Sequence, residues 1–159
     1  MNLRMIGCTH QSSGLDVRQH LAFDREQTVR ALETWQTQFA DTELVLLSTC
    51  NRVELYTATE TPSGEPASAV GDATQDPHLN ALLKFHHIPR EKFEGKLLTL
   101  TGTDVVRHLY RVTSSLESMV VGEPQILAQV KGAYQSAQDV GSTGPRLHDL
   151  FQSALRTAK

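Results

Sequence analysis

Leu44-Val45-Leu46-Leu47-Ser48-Thr49-Cys50-Asn51-Arg52-Val53-Glu54-Leu55-Tyr56 is the stretch that decides how this chain folds. Four consecutive aliphatic residues, Leu44 to Leu47, leave no polar side for water, which is the pattern of a strand buried on both faces. The run stops at Ser48-Thr49-Cys50-Asn51, where small and polar residues turn the chain. Alternation then resumes, with Val53, Leu55 and Thr57 on one face and Glu54, Tyr56 and Ala58 on the other. The segment predicts a strand over Thr42 to Leu47, a tight turn, and a second strand over Val53 to Thr59.

Upstream, Leu3 to Cys8 reads as a strand that ends in the polar turn Thr9 to Gly14. Asp16 is placed to cap a short turn through Val17 to Phe23. Asp24 precedes a helical pattern with Val29, Leu32, Trp35 and Phe39 on one face. Downstream, residues 60–77 are rich in Pro, Gly, Ser, Ala and Thr and read as a surface loop. A short helix over Leu79 to His86 and a strand over Lys96 to Thr101 follow. Three helices come last: Asp104 to Leu116, Pro124 to Val140, and one opened by Pro145.

The order β-α-β-β-α-β followed by helices predicts an α+β domain over residues 1–159. Its arrangement is the ferredoxin-like split β-α-β: an antiparallel four-stranded sheet with helices on one face, plus C-terminal helices. In that topology the first two strands run the same way. Cys8–His10 and Ser48–Arg52 therefore meet at one edge of the sheet.

Composition narrows the class. The 159 residues carry a net charge of -3, with 39% hydrophobic and 21% charged side chains, ordinary for a globular protein. No apolar run is long enough to span a bilayer, and no leader is read at the N-terminus. Two cysteines without metal-site spacing fit a reducing, cytoplasmic setting and no metal centre. Residues 1–79 hold five basic and eleven acidic side chains, net −6, whereas residues 80–159 hold ten and seven, net +3. The second half can present a modest basic face to phosphates, although solvated helix surfaces account for the same pattern.

Cys50 is the residue most suited to chemistry. It sits in a polar turn at the end of a buried strand, two positions before Arg52, and a nearby cation stabilises a thiolate. The alternative is a buried, inert thiol, which is the reading for Cys8 at the end of an apolar strand. His10 is placed to act as base or hydrogen-bond donor, or else is a turn histidine satisfied by backbone. His86-His87 read as a helix end where positive charge suits the dipole; His78, His108 and His148 read as surface positions without a role. In Ser118-Met119-Val120-Val121-Gly122-Glu123-Pro124-Gln125, Gly122 breaks the helical pattern and Pro124 restarts it. Glu123 and Gln125 then lie at a helix N-terminus, able to bind a polar ligand or simply to cap the helix. The chain has no G-x-G-x-x-G, P-loop or H-E-x-x-H motif.

Together these segments resemble glutamyl-tRNA reductase. Leu46 to Tyr56 is similar to the family's STCNRxE(I/L)Y signature, and Leu116 to Lys131 to its GLDSxVxGEPQILGQVK segment. Gly7-Cys8-Thr9-His10, Val17-Arg18 and Leu21-Ala22-Phe23 resemble its opening, and Arg107 to Val112 its RHLFRV helix. The matches lie in order over nearly the whole chain, apart from the 60–77 loop.

The resemblance implies NADPH-dependent reduction of glutamyl-tRNA(Glu) to glutamate-1-semialdehyde through a cysteine thioester, the first step of tetrapyrrole synthesis. It makes Cys50 the nucleophile and maps substrate contacts onto Thr49, Cys50, Asn51, Arg52, Ser118, Glu123, Pro124, Gln125 and Gln129. Arg52 is the implied clamp for the glutamate carboxylate and Glu123 the partner of the α-ammonium. Glutamate-1-semialdehyde aminotransferase is an implied candidate partner, and full-length members are homodimers with NADPH-binding and dimerisation domains. Neither domain is read here, so this chain is expected to hold the N-terminal catalytic domain only and to bind no NADPH itself. One departure bears on mechanism: where the family has a histidine eight positions before that of RHL, this chain has Leu100, and His10 is the candidate replacement. Two competing readings are a cofactor-free cysteine esterase or acyl-transfer module, and a non-catalytic tRNA-binding module.

Overall fold

A computed structural model describes residues 2–60, 76–116 and 125–158. The strands are β1 (Asn2–Thr9), β2 (Thr42–Ser48), β3 (Arg52–Thr59) and β4 (Leu98–Thr101). The helices are α1 (Leu15–Leu21), α2 (Arg25–Gln38), α3 (Pro77–Phe85), α4 (Thr103–Thr113), α5 (Gln125–Val140) and α6 (Pro145–Thr157). A 3-10 turn over Arg90–Lys92, unsuspected from periodicity, precedes β4.

The sheet order is β2-β3-β1-β4, with each neighbouring pair antiparallel. Because β3 lies antiparallel to both β1 and β2, those two strands run in the same direction, as the split β-α-β topology requires.

Both faces of the sheet are covered, which explains why β3 is buried from Arg52 to Ala58. The ferredoxin-like helices lie on the face of Val53, Leu55 and their row. There Phe23, at the end of α1, bonds through its N–H to the Ser48 hydroxyl at 2.9 Å, and Arg4 pairs with Asp76 at the start of α3. The C-terminal helices occupy the opposite face: His108 of α4 meets Glu54, and Phe151 of α6 packs edge-on to Tyr56 with ring centres 5.2 Å apart. Periodicity foretold these helices but not their destination.

The edge strand β2 is sealed by the α5–α6 turn. Leu44 donates its N–H to the Ser142 carbonyl at 2.7 Å and accepts from the Ser142 hydroxyl at 2.9 Å. At Leu44 the outward-facing backbone groups of the edge are thus taken up, which makes that point a poorer template for another strand.

Local chemistry sets the helix ends. Asp24 and Gln27 form a reciprocal capping box at α2. Asp76 caps α3, accepting from the N–H groups of His78 and Leu79. Asp16 is not a cap; it lies in the first turn of α1, whose N-cap is Gly14. On α2 the buried stripe is Thr28, Ala31, Leu32 and Trp35, while Val29 and Phe39 are half-buried. Leu116 lies beyond α4 and is 57% exposed, so it does not extend that helix's apolar face.

Three histidines differ from their sequence reading. His78 and His108 are buried, not on the surface. His86 follows α3 against the rings of Phe23 and Phe85, and burial pushes its pKa down, so the neutral imidazole is favoured over a dipole-stabilising cation.

Candidate active site

The site is assembled where β1 leaves the sheet and the β2–β3 hairpin turns. Thr9 lies opposite Arg52 in the sheet register, and the His10 N–H donates to the Asn51 carbonyl at 2.9 Å. The shared edge expected from topology is therefore a direct hydrogen-bonded contact. Thr9 organises the following turn: its carbonyl accepts from the N–H groups of Ser12 at 3.1 Å and Ser13 at 3.0 Å, and its hydroxyl from the Gln11 N–H at 3.2 Å.

The hairpin places Cys50 and Asn51 between Thr49 and Arg52, with the Thr49 N–H bonded to the Arg52 carbonyl at 2.8 Å. The Thr49 hydroxyl accepts from the Asn51 N–H at 3.2 Å, a side-chain turn that fixes the loop from within. Cys50 is thereby held out to solvent at the tip, whereas Cys8, one register pair into the sheet, is fully buried. Burial pushes the Cys8 thiol up, against weaker opposing effects of Ser13, the Val53 backbone and Arg18, so it is the inert member of the pair.

Arg18 ties the two loops together. Its Nη1 donates to the Ser13 carbonyl at 2.6 Å and its Nε to the Cys50 carbonyl at 3.3 Å. No local pattern signals this role, although Val17-Arg18 belongs to the opening segment that resembles the family.

Arg52 turns the other way. Its side chain enters the face covered by α4, is 1% exposed, and places Nη1 3.1 Å from Glu54 Oε1. Glu54 also accepts from Tyr56 Oη at 2.6 Å and from His108 Nε2 at 2.7 Å. Burial alone would raise the Glu54 pKa; His108, Arg52 and Tyr56 outweigh it and hold the carboxyl below its ordinary range. Burial and the Glu54 charge together push the Tyr56 phenol well up, so it stays a neutral donor. A signal for this cluster was available. Glu54 is the lone acid of β3, set between Val53 and Leu55, and His108 falls with Val105, Leu109 and Val112 on the buried face of α4.

Of the remaining expected contacts, Gln125 and Gln129 are exposed one turn apart at the start of α5. Ser118, Glu123 and Pro124 lie outside the described residues. Leu100 is a half-buried β4 residue paired with Met5, on the Glu54 and Tyr56 face; it packs in the core. Among the described residues no group of His, Cys, Asp and Glu could hold a metal ion, and no helix is long and apolar enough to cross a membrane.

The arrangement places an exposed thiol on a braced loop, with the His10 backbone bonded to that loop and the Arg52 guanidinium buried on the adjoining sheet face. An exposed thiol is the one group of the three open to an electrophile from solvent.

Residues 6–159 match the family described as glutamyl-tRNAGlu reductase, N-terminal domain. The chain is 45% identical over its full length to the glutamyl-tRNA reductase of Rhodopirellula baltica, of which it covers 35%. It is 39% identical over its full length to that of Aromatoleum aromaticum, again covering 35%. Among solved structures, glutamyl-tRNA reductase from Methanopyrus kandleri superposes with a TM-score of 0.72 at 30% identity, over 98% of this chain and 33% of that one. The chain thus spans about a third of the length of the relatives it matches.

Proposed function

The chain belongs to the family of glutamyl-tRNA reductase N-terminal domains, and on that premise we propose that it receives the glutamyl group of glutamyl-tRNA(Glu) on Cys50. The observation that carries this reading is the solvent-facing Cys50 on a loop held from both sides, by the Asn51 contact to His10 and by Arg18. A free thiol so positioned is available to an ester as large as a charged tRNA, as the buried Cys8 is not.

In the proposed step the Cys50 sulfur attacks the carbonyl carbon of the aminoacyl ester, a thioester C–S bond forms, and the C–O bond to the terminal ribose breaks. The thiol proton ends on the ribose oxygen, with His10 as the group that carries it. No oxidation state changes. Arg52 receives the side-chain carboxylate of the glutamate, where a planar guanidinium fits better than an ammonium. Thr49 and Asn51 shape the loop around the reacting atom, and Ser118, Glu123, Pro124, Gln125 and Gln129 complete the substrate site, with Glu123 facing the α-ammonium.

For the whole protein we extend the reading to an oxidoreductase of tetrapyrrole biosynthesis, in the cytoplasm and as a homodimer, that consumes NADPH to release glutamate-1-semialdehyde to its aminotransferase. NADPH supplies the hydride when bound. The sequence has no G-x-G-x-x-G, and among the described residues the four strands pair antiparallel, without the parallel β-α-β crevice that holds a dinucleotide; this supports a reading in which other parts of the protein bind NADPH.

The test is mass spectrometry of the protein after incubation with glutamyl-tRNA. The expected result is a glutamyl adduct on the Cys50 peptide, absent from Cys50→Ala. An unmodified Cys50 with intact tRNA binding would instead support a non-catalytic tRNA-binding module.

A further inference from the structure

We infer that Glu54, held by Tyr56 and His108, is a positioning residue that aims the Arg52 guanidinium at the substrate carboxylate. This inference rests on the assignment of Arg52 to the glutamate side chain made above.

Arg52 and Glu54 are two residues apart on β3 and so project to the same face, where α4 covers them. A carboxylate only accepts hydrogen bonds, so its three neighbours are all donors. Arg52 Nη1 and His108 Nε2 share Oε1 at 3.1 and 2.7 Å, and Tyr56 Oη takes Oε2 at 2.6 Å. The carboxylate is engaged at both oxygens, from two different elements, and its plane is fixed. Gly7 lies opposite Glu54 in the register, and a Cβ there would come within 1.9 Å of the Val53 carbonyl oxygen and 2.8 Å of the Glu54 Cα. The central strands approach closely beside the cluster, leaving Glu54 little room to shift.

Stability does not explain such a cluster. A buried ion pair is often no more stabilising than apolar side chains of similar volume in its place. Orientation does explain it. A free arginine side chain loses rotamer entropy when it is held in one geometry, and fixing it beforehand removes that cost from substrate binding. In glutamyl-tRNA the α-carboxyl is esterified, so the side-chain carboxylate is the free anion, and it is the group that distinguishes glutamate from glutamine. An aimed guanidinium therefore sets amino-acid selectivity as well as affinity.

The experiment measures acyl transfer to Cys50 across a concentration series of glutamyl-tRNA and, separately, glutaminyl-tRNA. For Glu54→Gln the half-saturating concentration should rise about tenfold and the preference for the glutamyl form should fall by about the same factor. Alkylation of Cys50 by iodoacetamide should stay unchanged. His108→Leu should reproduce the defect, while His108→Gln, which keeps an N–H for Oε1, should restore wild-type behaviour to within about twofold. If Glu54→Gln does not fold, the histidine pair carries the test, and equal behaviour of His108→Leu and His108→Gln overturns the inference. A folded Glu54→Gln with unchanged half-saturation and selectivity also overturns it while leaving the acyl-transfer reading intact. No adduct on the unaltered protein overturns that reading, and the inference with it.

Discussion

The guanidinium of Arg18 holds the carbonyl of Cys50, its Nε donating at 3.3 Å from α1 across to the hairpin tip. The same side chain bonds the Ser13 carbonyl, so one buried cation braces both loops of the site. Arg18→Ala should cost about 2 kcal/mol of stability, the range for losing charge-assisted hydrogen bonds at a part-buried site. It should also slow acylation of Cys50 by about tenfold, as an unbraced nucleophile loses its orientation. Arg18→Lys should fall between, because a point-like ammonium cannot serve both carbonyls with the geometry of a fork. Urea unfolding and rapid-quench adduct formation measure the two effects. Lost stability with an unchanged acylation rate would show that Arg18 supports the fold but not the nucleophile.

The two cysteines should separate cleanly under alkylation. Cys50 is exposed, and Cys8 is buried with its thiol pushed up by that burial. Iodoacetamide should add a single carbamidomethyl group to the native protein, on Cys50. Cys8 should react several-thousandfold more slowly, at roughly 1.4 kcal/mol per tenfold, since its exposure requires opening a core of about 5 kcal/mol stability. Intact mass and peptide mapping decide the matter. Comparable labelling of Cys8 would mean that the β1–β3 pairing opens far more readily than its burial implies.

How far the sequence carries this reading depends on the kind of signal. The hairpin around Cys50 was legible because Leu44 to Leu47 and the alternation after Val53 are strong local patterns, and topology then brings His10 alongside. The placement of α4 to α6 on the second sheet face was not, since amphipathicity gives a buried stripe but not its partner. The contacts of Arg18 and His108 are hidden for a related reason. Local pattern marks Glu54 and His108 as polar residues on buried faces, but their pairing spans 54 residues and that of Arg18 with Cys50 spans 32, and no local rule encodes such a contact. Leu100 shows the converse: its apolar character marks a core position, and it does pack beside Met5.

Glu43 and Gly144 should be energetically coupled. From β2, Glu43 accepts the N–H groups of Arg146 at 3.2 Å and Leu147 at 2.7 Å, capping α6 from another element. A Cβ on Gly144 would lie 2.6 Å from the Glu43 carboxyl carbon, so Gly144→Ala should displace that cap and cost about 1 kcal/mol. Gly144 has φ of −129°, which alanine adopts freely. In a Glu43→Ala background the same substitution should therefore become neutral or stabilising by about 0.5 kcal/mol, through the unfolded chain. A double-mutant cycle in urea reads the coupling directly. Additive effects would show that the cap and the glycine act separately.

Acid should weaken the fold in two steps of the same sign. Burial lowers the pKa values of His78 and His86, so the unfolded chain takes up their protons first once the pH drops below about 6.5. More protons on the unfolded state means stability that falls with falling pH, until the native histidines also titrate. Asp76 is held below its ordinary range despite burial, because Arg4 and the backbone N–H groups of Leu79 and His78 outweigh desolvation; Glu54 is held down by its own three donors. Their contributions are complete above the unfolded values of about 3.9 and 4.3, and are lost as the pH falls through the depressed native values. Urea midpoints should therefore decline from pH 7 towards pH 5, then again below about pH 4.3. His78→Gln should flatten the upper step, and Glu54→Gln the lower one. A midpoint that rises on acidification between pH 7 and pH 5 would mean that these histidines gain rather than lose their charge on folding, and that the packing of His78 against Phe39 and of His86 against Phe23 does not set their protonation.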